Sequence, residues 1–165
     1  MSELVVWRIC AARWAATAFD GEGARRFGGR WSSKGVPVVY CSESRALVML
    51  EVLAHVDAPE LLAHTEWVLV SACVPGDLIE RPARFPLNWR DFPAPAETRR
   101  FGDDWAAGGS STALRVPSAV VPGRPSAAGR LESTLRPNRP IIVPGARGEH
   151  ALAPVRSTKT LSPEE

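Results

Sequence analysis

Apolar residues along this chain come in short, uneven bursts. Leu4 to Ile9 is apolar and rich in β-branched side chains, the pattern of a buried strand, and the alanine-rich stretch from Ala11 to Phe19 predicts a short helix. After a glycine-rich turn, Val36 to Tyr40 reads as a second strand with Pro37 near its start. Ser44 is placed to cap a helix running through ALVMLEVLAHV to about Val56, closed by Asp57 and Pro59. On the 3.6-residue period, Ser44, Leu47, Val48, Ala54 and His55 are the neighbours of Glu51, whereas Ala46, Met49 and Leu53 fall on the opposite side. The latter set predicts the core face. The stripe of Ser44, Glu51 and His55 either faces water or lines a pocket walled by Leu47 and Val48.

Further along, Glu66 to Val74 is the most strand-like segment, ending at the turn Pro75-Gly76-Asp77. Prolines punctuate Arg81 to Pro95, which predicts a loop with Phe85, Trp89 and Phe92 as anchors, followed by a helix around Glu97 to Ala107. Leu114 to Val121 reads as another strand, with Pro117 marking an edge or a bulge. Short strands and helices interleave, and no GxGxxG follows a strand, so the pattern predicts one mixed α/β (α+β) domain without a dinucleotide-binding fold of the doubly wound kind. Past Pro122 the character changes. Residues 123–165 hold six prolines and six arginines, with one strand expected at Ile141 to Val143, so the chain divides into a core over 1–122 and an irregular, partly disordered tail over 123–165.

Composition narrows the picture. A chain of 165 residues with 45% hydrophobic content suffices for one domain with a real core. A net charge of +2 gives no argument for direct nucleic-acid binding or a membrane surface: the first 98 residues carry 10 basic and 12 acidic side chains, the remainder 10 and 6. Cys10, Cys41 and Cys73 are odd in number, far apart and set in apolar stretches, which suits small core residues in a reducing compartment. The start MSELVVWRICAARW lacks the features of a signal peptide, and no run approaches the roughly 20 apolar residues of a membrane helix, so a cytoplasmic protein is expected. His55 and His64 show no HExxH or comparable spacing, so no metal site is expected.

A few polar residues stand where a packed core needs none. Arg30 follows Gly28-Gly29, a place where the backbone can bend close to a ligand and a guanidinium can fork onto phosphate, or where an arginine merely meets solvent. Tyr40 ends an apolar strand, so its hydroxyl either finds a core partner or lines a cleft where the ring could stack on a base. Ser118 lies in VPSAVV without a GxSxG or any triad pattern around it, which favours a hydrogen-bonding role over a nucleophilic one.

In combination these residues resemble a known family. VWRI near the start, then GGRWSSKGVPVVYCSESRALVMLEVLAH, then FGDDWAAGGSSTALRVPSAVVP, in that order over about residues 4 to 122, are similar to the RES domain of bacterial toxins, named for an arginine, a glutamate and a serine and encoded beside Xre-type helix-turn-helix antitoxins. The resemblance implies a fold like that of ADP-ribosyltransferase toxins and NAD+ as substrate. It implies cleavage of the nicotinamide–ribose bond by phosphorolysis or hydrolysis, or transfer of ADP-ribose to a protein acceptor. Carried over, Arg8 and Arg30 would hold the pyrophosphate or the adjacent ribose, and Tyr40 would pack against nicotinamide or its ribose. Glu51 would be the catalytic carboxylate, with Arg30 and Tyr40 beside it in the catalytic group, and Ser118 would complete the pocket by hydrogen bonding. The implied partner is an Xre-type antitoxin, with a homo-dimer inside the larger complex; Trp31, Trp89 and Trp105 either stand near such contact surfaces or belong to the core.

The sequence departs from the family after VPSAVVP, where relatives continue with an ExNxLLNPxHP-like segment and only LESTLRPNRP echoes it. That departure motivates an alternative: a catalytically impaired relative that only binds an Xre-type antitoxin. An RNA-cleaving toxin has little support, because no catalytic histidine pair is evident and the basic surface is modest.

Overall fold

The computed structural model describes residues 3–55, 60–121, 140–144 and 154–161. Strand β1 (Glu3–Ala11) pairs antiparallel with β3 (Trp67–Pro75) along its whole length, from Glu3↔Pro75 to Ala11↔Trp67. Strand β2 (Val38–Ser42) joins β1 at the single pair Trp7↔Ser42, while its other edge is fully paired with β6 (Pro140–Pro144). The short β4 (Ile79–Glu80) runs parallel to β5 (Ala113–Arg115), and β7 (Pro154–Leu161) adds to β3. The seven strands form one sheet in the order β4-β5-β6-β2-β1-β3-β7.

Alternating side chains of β2 explain its unbroken apolar sequence. Val39 and Cys41 enter a cluster with Val6, Ala72, Val74, Ile79, Ala113 and Ile141, while Val38 belongs to a second cluster with Trp31, Trp105, Leu114 and Val116. A strand covered on both faces favours apolar side chains; Tyr40, which falls mid-strand and not at its end, has its hydroxyl partnered by the Trp31 amide and Ser32. Helix α4 (Ala96–Gly108) carries Trp105 into the second cluster, and Gly102 lets it approach so closely that a Cβ there would collide with the Trp31 carbonyl. Asp103 of the same helix accepts the Ser33 amide at 2.8 Å, tying α4 to the loop after α1 (Glu22–Phe27).

Helix α2 (Arg45–His55) begins as expected, with the Ser44 hydroxyl accepting the Leu47 amide at 3.1 Å. The Arg45 guanidinium carbon lies 4.1 Å from the Trp7 ring centroid, which seats the first turn on β1. Its core face is the reverse of the one predicted. Leu47 and Val48 are buried, whereas Met49 and Leu53 are 40% and 55% exposed. Periodicity shows that a helix has two unlike sides; it does not say which meets the sheet when both contain apolar residues.

Other boundaries shift for local reasons. The first expected helix is a 3-10 turn at Ala12–Thr17, and β2 starts at Val38 because Pro37 has no amide to give a ladder. The strand expected over Leu114 to Val121 stops at Arg115, since Pro117 lacks a donor and the Ser118 hydroxyl takes the amides of Val120 and Val121. Phe85 and Trp89 anchor the 81–95 loop as expected, but Phe92 is 88% exposed. The helical turn α3 (Glu60–Ala63) was not foreseen, nor were α1, which falls in the expected glycine-rich turn, and β4. The strand expected at Ile141 to Val143 is present as β6, and the C-terminal stretch supplies a further strand, β7, at the far edge beside β3. The rest of the expected tail, and the helix end at Val56, Asp57 and Pro59, lie outside the described residues. No helix among the described residues is long and apolar enough to cross a membrane.

Candidate active site

The site begins where two strands part. Beyond Trp7↔Ser42 the β1–β2 ladder stops, and Arg8, Ile9, Tyr40 and Cys41, which would have continued it, line a cleft of about 390 Å³ instead. The Arg8 side chain spans the gap, Nη1 donating to the Tyr40 carbonyl at 3.3 Å. Gly28 to Trp31 form another wall, α2 contributes Val48, Glu51, Val52 and His55, and the segment Pro117 to Ala119 closes the ring. Arg8, Arg30, Tyr40, Glu51 and Ser118, spread over more than a hundred residues of sequence, therefore meet in one cavity.

Glu51 and Ser118 form the tightest contact there. The Ser118 hydroxyl donates to Glu51 Oε1 at 2.5 Å, and it accepts the amides of Val120 and Val121 at 3.1 and 2.9 Å. A serine hydroxyl has one proton and two lone pairs, so all three are committed. Ser118 is thus a fixed donor that orients the carboxylate, with nothing left over for nucleophilic attack. One turn on, His55 Nδ1 lies 2.6 Å from the Glu51 main-chain carbonyl. A carbonyl can only accept, so Nδ1 is the donor in this contact.

The two arginines sit differently. Arg8 lies on β1 with its Nε buried and without a partner among the described residues, a donor whose desolvation costs about 1 to 3 kcal/mol. Arg30 sends Nη1 to the Trp89 carbonyl at 2.7 Å and the Asp91 carbonyl at 3.0 Å. No ion pair joins Glu51 to either arginine among the described residues, and both cations line the same cleft as the acid.

Tyr40 braces the glycine loop. Its hydroxyl accepts the Trp31 amide at 3.1 Å and shares a hydrogen bond with Ser32 Oγ at 2.9 Å, and a Cβ on Gly29 would collide with it. Burial pushes the phenol above its ordinary value, so it stays protonated at neutral pH. Its ring still forms part of the cleft wall. Burial likewise pushes the Cys41 thiol up to about 12, which leaves it unreactive at neutral pH. All three cysteines are free. Among the described residues there is no group of three or more His, Cys, Asp or Glu able to hold a metal ion.

Two supports escaped the sequence reading. Glu43, whose side chain is 4% exposed, pairs with Arg115, Nε to Oε1 at 2.7 Å, and so ties the entrance of α2 to the end of β5 just before Ser118. Ser32 is fully buried beneath Tyr40. Neither has a local signature, because each stands among other polar residues in a turn and its role is set by a partner on another element.

The RES domain family matches residues 5–128. The chain is 36% identical over 119 residues to a Toxin Res of Yersinia enterocolitica, covering 72% of this chain and 78% of that protein. It is 35% identical over 123 residues to a Prs ADP-ribosylating toxin of a Sphingobium species, covering 70% and 75% of the two chains. In three dimensions it is similar to a chain of the crystal structure of the M. tuberculosis MbcT-MbcA toxin-antitoxin complex, with a TM-score of 0.58, 22% identity, and coverage of 98% of this chain and 85% of that one. That likeness extends the mixed α/β sheet to a solved fold. With the family match spanning most of the sequence and the relatives aligned over most of their own lengths, the chain belongs to the RES domain family.

Proposed function

We propose that this protein is the toxin of a toxin–antitoxin pair and that its cleft binds NAD+ and breaks the bond between nicotinamide and ribose. The observation that carries the reading is the convergence of a serine-held carboxylate and two arginines in one cleft. Arg8 and Arg30 supply the positive charge that a pyrophosphate needs, and the Tyr40 ring offers an apolar wall for the nicotinamide or its ribose. Breakage of the C1′–N bond sends the electron pair to the pyridinium, so nicotinamide leaves neutral and needs no acid. Positive charge gathers on the ribose ring, and the Glu51 carboxylate, held in place by Ser118 before the reaction, is worth more there than in the ground state.

The acceptor for ADP-ribose is water, phosphate or a protein, and the ADP-ribosylating name of the Sphingobium relative favours a protein. We assign an Xre-type helix-turn-helix antitoxin as the neutralising partner and the cytoplasm as the place of action, on the toxin names of the relatives and the family resemblance.

The test is nicotinamide release from NAD+ by purified protein, with and without phosphate, with products separated as ADP-ribose, its phosphorylated form or labelled protein. The wild type is expected to release nicotinamide, and Glu51→Gln, which can still accept the Ser118 proton, to be slower by about 10² to 10³. A folded wild type that leaves NAD+ intact under all these conditions overturns the reading and leaves antitoxin binding as the protein's remaining role.

A further inference from the structure

The stretch from Arg81 to Pro95 is almost without regular structure, yet it is pinned firmly to the cleft wall. Phe85 meets Trp31 edge-on with centroids 5.6 Å apart, and Trp89 stacks on Trp31 at 6.0 Å with 29° between the planes. Phe101 of α4 reaches the same ring at 6.0 Å. Trp31 is buried and stands next to Arg30 in the chain. Two turns, closed by the Trp89 amide on the Pro86 carbonyl at 3.2 Å and the Asp91 amide on the Asn88 carbonyl at 2.9 Å, then present two main-chain oxygens to Arg30. Both protons of Nη1 go to them. A guanidinium carries five N–H groups, so Nε and Nη2, which have no hydrogen-bond partner among the described residues, are left for a ligand.

We propose that Trp89 is a positioning residue: stacked on Trp31, it holds the Trp89–Asp91 main chain as a bracket that fixes the Arg30 guanidinium in the cleft. The consequence for binding rests on the reading that Arg30 grips the phosphates of NAD+. An arginine fixed beforehand loses less side-chain freedom when a ligand arrives, an advantage of roughly 2- to 10-fold in affinity. Phe85 and Phe101 share the aromatic cluster, but neither supplies a carbonyl to Arg30. Packing and positioning can therefore be separated.

The experiment compares Trp89→Ala, Trp89→Phe, Arg30→Ala and Phe101→Leu in the full chain. Tryptic cleavage after the exposed Arg84 and Arg90 reads the bracket directly, without any nucleotide. Trp89→Ala and Arg30→Ala are expected to speed that cleavage about 10-fold, as local opening becomes easier, with Trp89→Phe close to the wild type. Trp89→Ala is further expected to raise KM for NAD+ roughly 2- to 10-fold while kcat changes less than about 2-fold. Phe101→Leu loosens the cluster from the α4 side and should move neither readout. Unchanged cleavage in Arg30→Ala overturns the proposal, and so does a Phe101→Leu variant that behaves like Trp89→Ala. Should the wild type fail to consume NAD+, the proposed activity falls while the cleavage comparison still decides whether the bracket exists.

Discussion

Ser118 shows how much one hydroxyl can organise. Its proton fixes Glu51 and its lone pairs hold two amides, so Ser118→Ala leaves three groups short of a partner. The expected outcome is a loss of about 1 to 3 kcal/mol in stability by urea unfolding. Nicotinamide release should also fall by about 10-fold, equivalent to roughly 1.4 kcal/mol at the barrier. A second residue-scale expectation concerns Cys41, whose folded thiol titrates at about 12 against an ordinary 9.0, with Cys10 and Tyr40 also displaced upward by burial. Above the ordinary value the unfolded chain sheds its proton while the folded chain keeps it, so stability is full below pH 9.0 and declines toward pH 12. Melting temperatures measured across that range should fall, and Cys41→Ala should make the fall shallower. The residues lining the cleft were legible because their types are odd for their surroundings: an acid in a greasy helix, a serine in an apolar run. What each does was less legible. The acceptors of Arg30 are main-chain carbonyls some sixty residues away, and a carbonyl looks the same behind every side chain.

At the scale of elements, α2 is the instructive case. Its existence, its start and its Ser44 cap followed from the sequence, while the choice of inner face did not. Burial of Leu47 and Val48 places Glu51 over the cleft and leaves Met49, Leu50 and Leu53 outward. Leu47→Ala is therefore expected to cost about 2 to 5 kcal/mol in urea unfolding. Met49→Gln and Leu53→Gln should each stay within about 0.5 kcal/mol of the wild type by the same measurement. Equal costs at all three positions would contradict the orientation of the helix. The strand expected across Ser118 failed for a related reason: pattern recognises apolar runs, but Pro117 and a hydroxyl that captures two amides end a ladder regardless of how apolar the following residues are.

For the whole molecule, mixed α/β architecture was legible from the interleaving of short strands and helices, whereas strand order was not. Nothing in a five-residue strand states which neighbour it will find. The sheet places β6 between β5 and β2, so pieces separated by long stretches of chain lie side by side at its centre. This arrangement sets a schedule. As the polypeptide emerges from the ribosome, β2, which bears Tyr40 and Cys41, has one edge bare until residues 140–144 are translated, because the pairs from Val38↔Pro144 to Ser42↔Pro140 have no other source. Every arginine, acid and serine of the cleft precedes that stretch in the sequence, so the side chains of the site are made before the floor they stand on can be completed.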